Sequence, residues 1–232
     1  VGDPVTRAAQ ALVLTALGGI ALRVSWTDEY ARYVNEWMRW PLFASGLLLV
    51  GLAATAALGP MADDEEEHTT TRFAWLLLLP VLVAFVVQPP ALGAYVAERN
   101  ANDLDASAYT DVAVAPLPEG EVSDLPVASF VARAATDEGS SLVDRDVRLT
   151  GFVTVDDGGS WYVTRLSIAC CAADAAAFRV RVDGAEAPPE EQWIEVTGTW
   201  VEGTGVGSGR GETPALAAAD VVTIEPPQRP YE

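Results

Sequence analysis

Three long stretches without a charged residue constrain the first hundred positions more than anything else in the chain. Ala8–Leu22 lies between Arg7 and Arg23, Trp40–Ala62 follows Arg39, and Phe73–Ala97 follows Arg72. A helix needs roughly 20 apolar residues to cross a bilayer. The second and third stretches meet that length outright. The first meets it once Val5 and Thr6 join and the flanking arginines snorkel to the headgroups. Spans are therefore expected at about 5–24, 41–61 and 73–96, within a transmembrane module of residues 1–99. A cleaved signal peptide is the rival reading of the first stretch. No small-x-small cleavage site follows Leu22, so a retained helix is expected.

The residues around the stretches fit a multi-pass cell-membrane protein. Trp26, Tyr30, Tyr33, Trp37 and Trp40 form the aromatic belt expected at headgroup level. Gly46 and Gly51, with neighbouring alanines, give the second span a small-residue face that lets helices approach closely. In the third span Pro80, Pro89 and Pro90, then Gly93, break the helix and free carbonyls that protein or water must satisfy. Gly46, Gly51, Pro80, Pro89, Pro90 and Gly93 are thus the positions expected at an interface with another membrane protein. None of the stretches carries a charge, so this chain offers no ion path of its own. Arg23, Arg32, Arg39 and Arg99 on one side outnumber Arg7 and Arg72 on the other. That count favours a cytoplasmic C-terminal part, although Arg7 before the first span pulls the other way.

Charge is distributed unevenly. The chain of 232 residues has a net charge of -19 but a mean hydropathy of +0.19. Residues 100–232 hold 23 acids against eight arginines. So acidic a surface excludes nucleic-acid binding and docking onto anionic headgroups; lipid contact belongs to the apolar spans. Two cysteines and one histidine exclude a disulfide scaffold and a zinc finger. The acidic run Asp63–Glu67 followed by His68 has the donors for a divalent cation. A solvated acidic loop is the expected reading.

Residues 100–126 read as a linker, with prolines at 116, 118 and 126. Residues 127–232 read as a soluble all-β domain with one helix. Val127, Phe130, Val131 and Ala134 share one helical face. From Val147 to Val155 the pattern alternates with period two, and Asp156–Gly159 makes a hairpin turn into Trp161 and Val163. Phe178–Asp183, Trp193–Val201 and Val221–Glu225 are further strands. Five strands and a helix in about 100 residues fit a small, bent antiparallel barrel of the OB type, with Gly151 and Gly198 at bulges or close approaches.

Cys170 and Cys171 stand side by side, with Asp174 three residues on. Three readings are open: two buried small thiols, a strained and reducible vicinal disulfide, or thiolate ligands for a soft or borderline metal. Both thiols reach one ion only where this stretch turns, because a strand sends neighbours to opposite faces. Two thiolates and the Asp174 carboxylate are one ligand short of a closed zinc site, which suits exchange rather than structural support.

The segment Cys170-Cys-Ala-Ala-Asp-Ala, followed by Trp193-Ile-Glu-Val-Thr-Gly-Thr199, resembles the C-terminal domain of the YcgQ-like bacterial membrane proteins, an uncharacterised family of predicted permease subunits. Ile224-Glu-Pro-Pro-Gln-Arg-Pro-Tyr231 and Trp75-Leu-Leu-Leu-Leu-Pro80 running into Pro89-Pro-Ala-Leu-Gly-Ala-Tyr95 carry the same resemblance. It implies a larger multi-span permease partner and, through gene context, a link to zinc homeostasis. Many relatives carry a histidine-rich loop before the third span, where this chain has only His68. The expected function is a non-enzymatic accessory subunit of a membrane permease, linked to zinc. The alternative is a membrane-anchored thiol redox protein using Cys170 and Cys171. No catalytic residue is assigned, since His68 lies outside the soluble domain.

Overall fold

The computed structural model describes residues 4–58, 93, 94, 97, 116–136, 139–206 and 213–232. The chain divides into two compact units, 1–90 and 91–232. In the first, helices α1 (Pro4–Trp26) and α2 (Arg39–Leu58) are joined by two short 3-10 turns, Asp28–Arg32 and Glu36–Met38. Both helices are long and apolar enough to cross a membrane. The third expected span lies outside the described residues, apart from Gly93 and Ala94.

α1 and α2 touch where side chains are missing. A Cβ added at Gly46 would sit 2.8 Å from Leu22 Cγ and 3.1 Å from the Gly18 carbonyl oxygen. One added at Gly18 would sit 2.8 Å from Val50 Cγ2. The two backbones therefore meet at a glycine–glycine crossing, the small-residue packing that brings helices close without bulky knobs. Gly51 faces open space. The turn between the helices is pinned by Arg39, whose Nε donates to the Ser25 carbonyl at 2.9 Å. Its guanidinium lies over the Tyr30 ring at 5.3 Å and the Trp40 ring at 5.9 Å. The indoles of Trp26 and Trp40 are 76% and 70% exposed.

The second unit is a mixed six-stranded sheet with one helix. Its elements are β1 (Ser123–Leu125), α3 (Val127–Thr136), β2 (Asp146–Val155), β3 (Trp161–Ser167), β4 (Ala176–Asp183), β5 (Trp193–Trp200) and β6 (Ala215–Thr223). The order is β1-β2-β3-β4-β6-β5, and β5 pairs back onto β2, so five strands run round a ring. β2 serves two neighbours in turn: Asp146–Phe152 pair with β5, and Phe152–Val155 pair with β3. Glycines sit where that doubling crowds the chain. A Cβ at Gly151 would collide with the Thr164 carbonyl, and one at Gly198 with the Ala217 carbonyl beside the β5–β6 irregularity.

The helix expected from its apolar spacing forms over Val127–Thr136 and buries Val127, Phe130, Val131 and Ala134. They pack with Leu149, Val163, Phe178, Val180, Ile194, Val196 and Leu216. Fully burying a side chain such as Phe130 or Phe178 contributes about 1.5–3 kcal/mol. Three expectations are corrected. The sheet is mixed rather than antiparallel: β1–β2 and β4–β6 are parallel. The segment read as linker contains β1. The last strand begins at Ala215, six residues before the expected Val221, because Ala215 and Leu216 bury beside β4 despite an alanine-rich sequence.

A second apolar cluster holds Phe152, Leu166, Ala177 and Ala97, with Trp193 and Tyr231 packed against it. Glu191 accepts the Ala94 N–H at 3.3 Å.

Candidate functional site

The double-cysteine segment is a turn held by one carboxylate. β3 ends at Ser167 and β4 begins at Ala176. Between them Asp174 Oδ1 accepts the Ala169 N–H at 2.9 Å, and Oδ2 accepts those of Cys170 at 2.8 Å and Cys171 at 3.3 Å. Cys171 is extended and caps a single 3-10 turn, Ala172–Asp174; the Asp174 N–H bonds back to the Cys171 side chain. Three backbone donors aimed at one carboxylate bend the chain where a strand would have continued, so adjacent thiols end on the same side.

The thiols are 3.6 Å apart, free and half-buried. Ligand atoms of Cys170, Cys171 and Asp174 all lie within 4.8 Å of one another. A hydrogen bond to the Asp174 carboxylate, and then one involving Cys171, pushes the Cys170 thiol up to about 12. The same contact with Cys170, helped by the backbone donors, holds Asp174 below the usual carboxylate range. At neutral pH the loop thus carries a protonated Cys170 thiol beside an ionised Asp174. A divalent cation reverses that balance, because its charge favours both thiolates and draws on the same carboxylate.

The structure brings together the three residues of the Cys170 group. His68, Pro80, Pro89 and Pro90 lie outside the described residues. Gly46 packs on α1 of its own chain, Gly51 is open, and a Cβ at Gly93 would meet the Glu191 carboxylate.

Two residues stand beside the loop: Arg165, a basic residue near the thiols in the sequence, and Glu232, which sequence reasoning did not single out. Arg165 on β3 and Glu232 form an ion pair at 3.9 Å, with side chains 10% and 17% exposed. Arg165 Nη2 also donates to the Arg229 carbonyl at 2.8 Å, and its guanidinium lies 4.7 Å from the Trp193 ring centre. Burial holds Arg165 below its ordinary value, partly offset by Glu232. Burial raises Glu232, against the lowering effect of the Ala128 and Val127 N–H groups and of Arg165. The contacts of Arg165 with Arg229 and Glu232 span more than 60 residues of sequence, so no local pattern signals them.

Residues 132–232 match the family described as DUF1980 C-terminal domain. The DUF1980 match begins inside α3, covers less than half of the chain, and contains Cys170, Cys171, Asp174, Arg165 and Glu232. It supports membership of this region in an uncharacterised family. The chain has no significant match among curated proteins or solved structures.

Proposed function

We propose that the chain is a YcgQ-like accessory subunit of a larger multi-span membrane permease, and that its sheet unit offers a zinc ion an exchangeable seat at Cys170, Cys171 and Asp174. The thiol separation carries this reading. Two ligands about 2.3 Å from a tetrahedral zinc lie ~3.8 Å apart. The observed 3.6 Å needs little adjustment, whereas a linear two-coordinate ion with similar bonds would hold its sulfurs ~4.6 Å apart. Asp174 Oδ1 accepts one backbone N–H, which leaves it a lone pair for a metal. Three protein ligands leave a fourth position for water or for a partner's side chain, an arrangement suited to handing an ion on.

The ring of five strands supports an OB-type barrel as the carrier. Counted from β2, its order is first, second, third, fifth, fourth and back to the first, a Greek-key closure. The two apolar helices support a multi-pass cell-membrane protein, and the arginine count supports a cytoplasmic sheet unit. A redox role for the thiols is the less favoured reading, since a Cys170 thiol near 12 yields little thiolate to attack a disulfide.

Zinc titration of the full chain in mild detergent tests the site. Wild type and a His68→Ala control should bind alike, and Cys170→Ser/Cys171→Ser should lose binding while keeping its fold. Equal affinity in the double-serine variant ends the metal reading. Crosslinking in native membranes tests the subunit reading, and a chain recovered only as a monomer ends it.

A further inference from the structure

The stem of the Cys170 loop is gripped on two edges. On one, β3 pairs with β4 as far as Ser167 and Ala176. On the other lies Glu232. Its N–H donates to the Leu166 carbonyl at 2.9 Å, and its carbonyl accepts the Ile168 N–H at 3.4 Å. The Ser167 hydroxyl donates to the same carbonyl at 3.0 Å. Tyr231 adds a parallel bridge to Leu166.

The Glu232 side chain points elsewhere. Oε1 accepts the Val127 N–H at 2.9 Å and Oε2 accepts the Ala128 N–H at 3.1 Å. These are the opening N–H groups of α3, which no intrahelical carbonyl can satisfy. The usual remedy is a Ser, Thr, Asp or Asn just before the helix. Here that residue is Pro126, which has no side-chain acceptor. The cap therefore comes from a residue about a hundred positions away, whose backbone is bonded to the metal loop's stem. A plain cap has no need of those backbone bonds.

We propose that Glu232 is a positioning residue for Cys170 and Cys171, a clasp that ties the first turn of α3 to the thiol loop. This rests on the metal reading for its functional meaning. Ile168 is buried and bonded to Glu232, and only Ala169 separates it from Cys170. A shift of the α3 N-terminus pulls on the carboxylate, moves the Glu232 backbone and changes the spacing of the sulfurs. The ion's hold thereby becomes sensitive to whatever displaces the chain entering α3 at Pro126.

Hydrogen exchange on the full chain, with Glu232→Ala, Glu232→Asp and Glu232→Gln, tests the clasp. Asp keeps the charge but shortens the reach by one methylene; Gln keeps the reach but only one of the two accepting oxygens, its amide nitrogen being a donor. In the Ala and Asp variants we expect exchange to rise about tenfold at Val127 and Ala128, and also at Ile168, Ala169 and Cys170. Gln should keep one of the two cap bonds and fall between wild type and Ala. Zinc affinity should fall about tenfold with Ala and Asp and by less with Gln. Faster exchange at Val127 and Ala128 alone would make Glu232 a helix cap and overturn the clasp, as would no change at either place. Should the Ala variant fail to fold, the Asp and Gln pair gives the same reading. A wild type that binds no zinc removes the metal reading, and the exchange pattern still decides the clasp.

Discussion

The α1–α2 pair and the sheet unit hold together by opposite means. In the helix pair the closest contact is made by glycines, and large apolar side chains such as Leu48 and Leu58 point outward. In the sheet unit the core is filled by Phe130, Phe178, Leu149 and Ile194, all fully buried. Water drives apolar side chains together. Lipid does not, because its chains are as apolar as leucine, so helices in a bilayer gain by close backbone approach. The contrast supports placing the two units in different solvents.

Cutting a large residue from each unit breaks the comparison most sharply. Phe178→Ala should destabilise the sheet unit by about 3–5 kcal/mol, read as a lower urea midpoint. Leu48→Ala in detergent should leave the helix pair unchanged. A large loss at Leu48 would mean that α2 buries that face in protein.

Adding atoms probes the helix pair. Gly46→Val should cost the α1–α2 contact about 1–3 kcal/mol by overpacking against Leu22, seen as reduced crosslinking between cysteines introduced on the two helices. Gly51→Val, facing open space, should leave crosslinking intact.

A change of pH should reach the sheet unit through Glu232. Its folded-state value is raised, chiefly by burial. Between the ordinary carboxylate value and that raised value, the folded state keeps a proton that the unfolded state gives up. Stability from this group therefore falls as pH rises through the window. Asp174 and Asp183 are lowered, by hydrogen bonds from Cys170 and Arg181 respectively, and act in the opposite sense, losing their contribution as pH falls. Glu232→Gln should delete the first slope alone. Relative to wild type, the variant should gain stability as pH rises from about 4 to neutral; parallel urea midpoints across that range would refute it. At the small end, Arg148→Ala removes an exposed pair with Asp124 at 3.2 Å. It should change the midpoint by less than about 0.5 kcal/mol.

Local patterns explain which features could be read from the sequence. α3 was legible because Val127, Phe130, Val131 and Ala134 recur at helical spacing. β2 and the turn after it were legible because alternation ends in Asp156-Asp-Gly-Gly. β1 was not: three residues, one of them a solvent-facing Asp124, carry no period. Nor was the start of β6, where Ala-Leu-Ala-Ala-Ala favours helix by propensity and only pairing with β4 and β5 makes it strand. Parallel pairing in β4–β6 depends on contacts far apart in sequence. The Cys170 loop could be singled out from Cys170-Cys171 and Asp174 within five residues. Its grip by Glu232 could not, since Pro126, Leu166 and Glu232 meet only after the ring has closed.

The tryptophans make the two units optically distinct. Trp161 and Trp200 are 5% and 7% exposed, and their indole N–H groups donate to the Ala185 and Thr204 carbonyls. Trp26, Trp37 and Trp40 are open to their surroundings. One population emits from a rigid, dry interior, and a quencher dissolved in water has little access to it. The other emits from whatever medium surrounds the turn between α1 and α2. In a Trp75→Phe variant, brominated acyl chains placed at different depths would dim the turn's tryptophans and spare Trp161 and Trp200, and the depth of greatest dimming would read out where the turn sits in a bilayer.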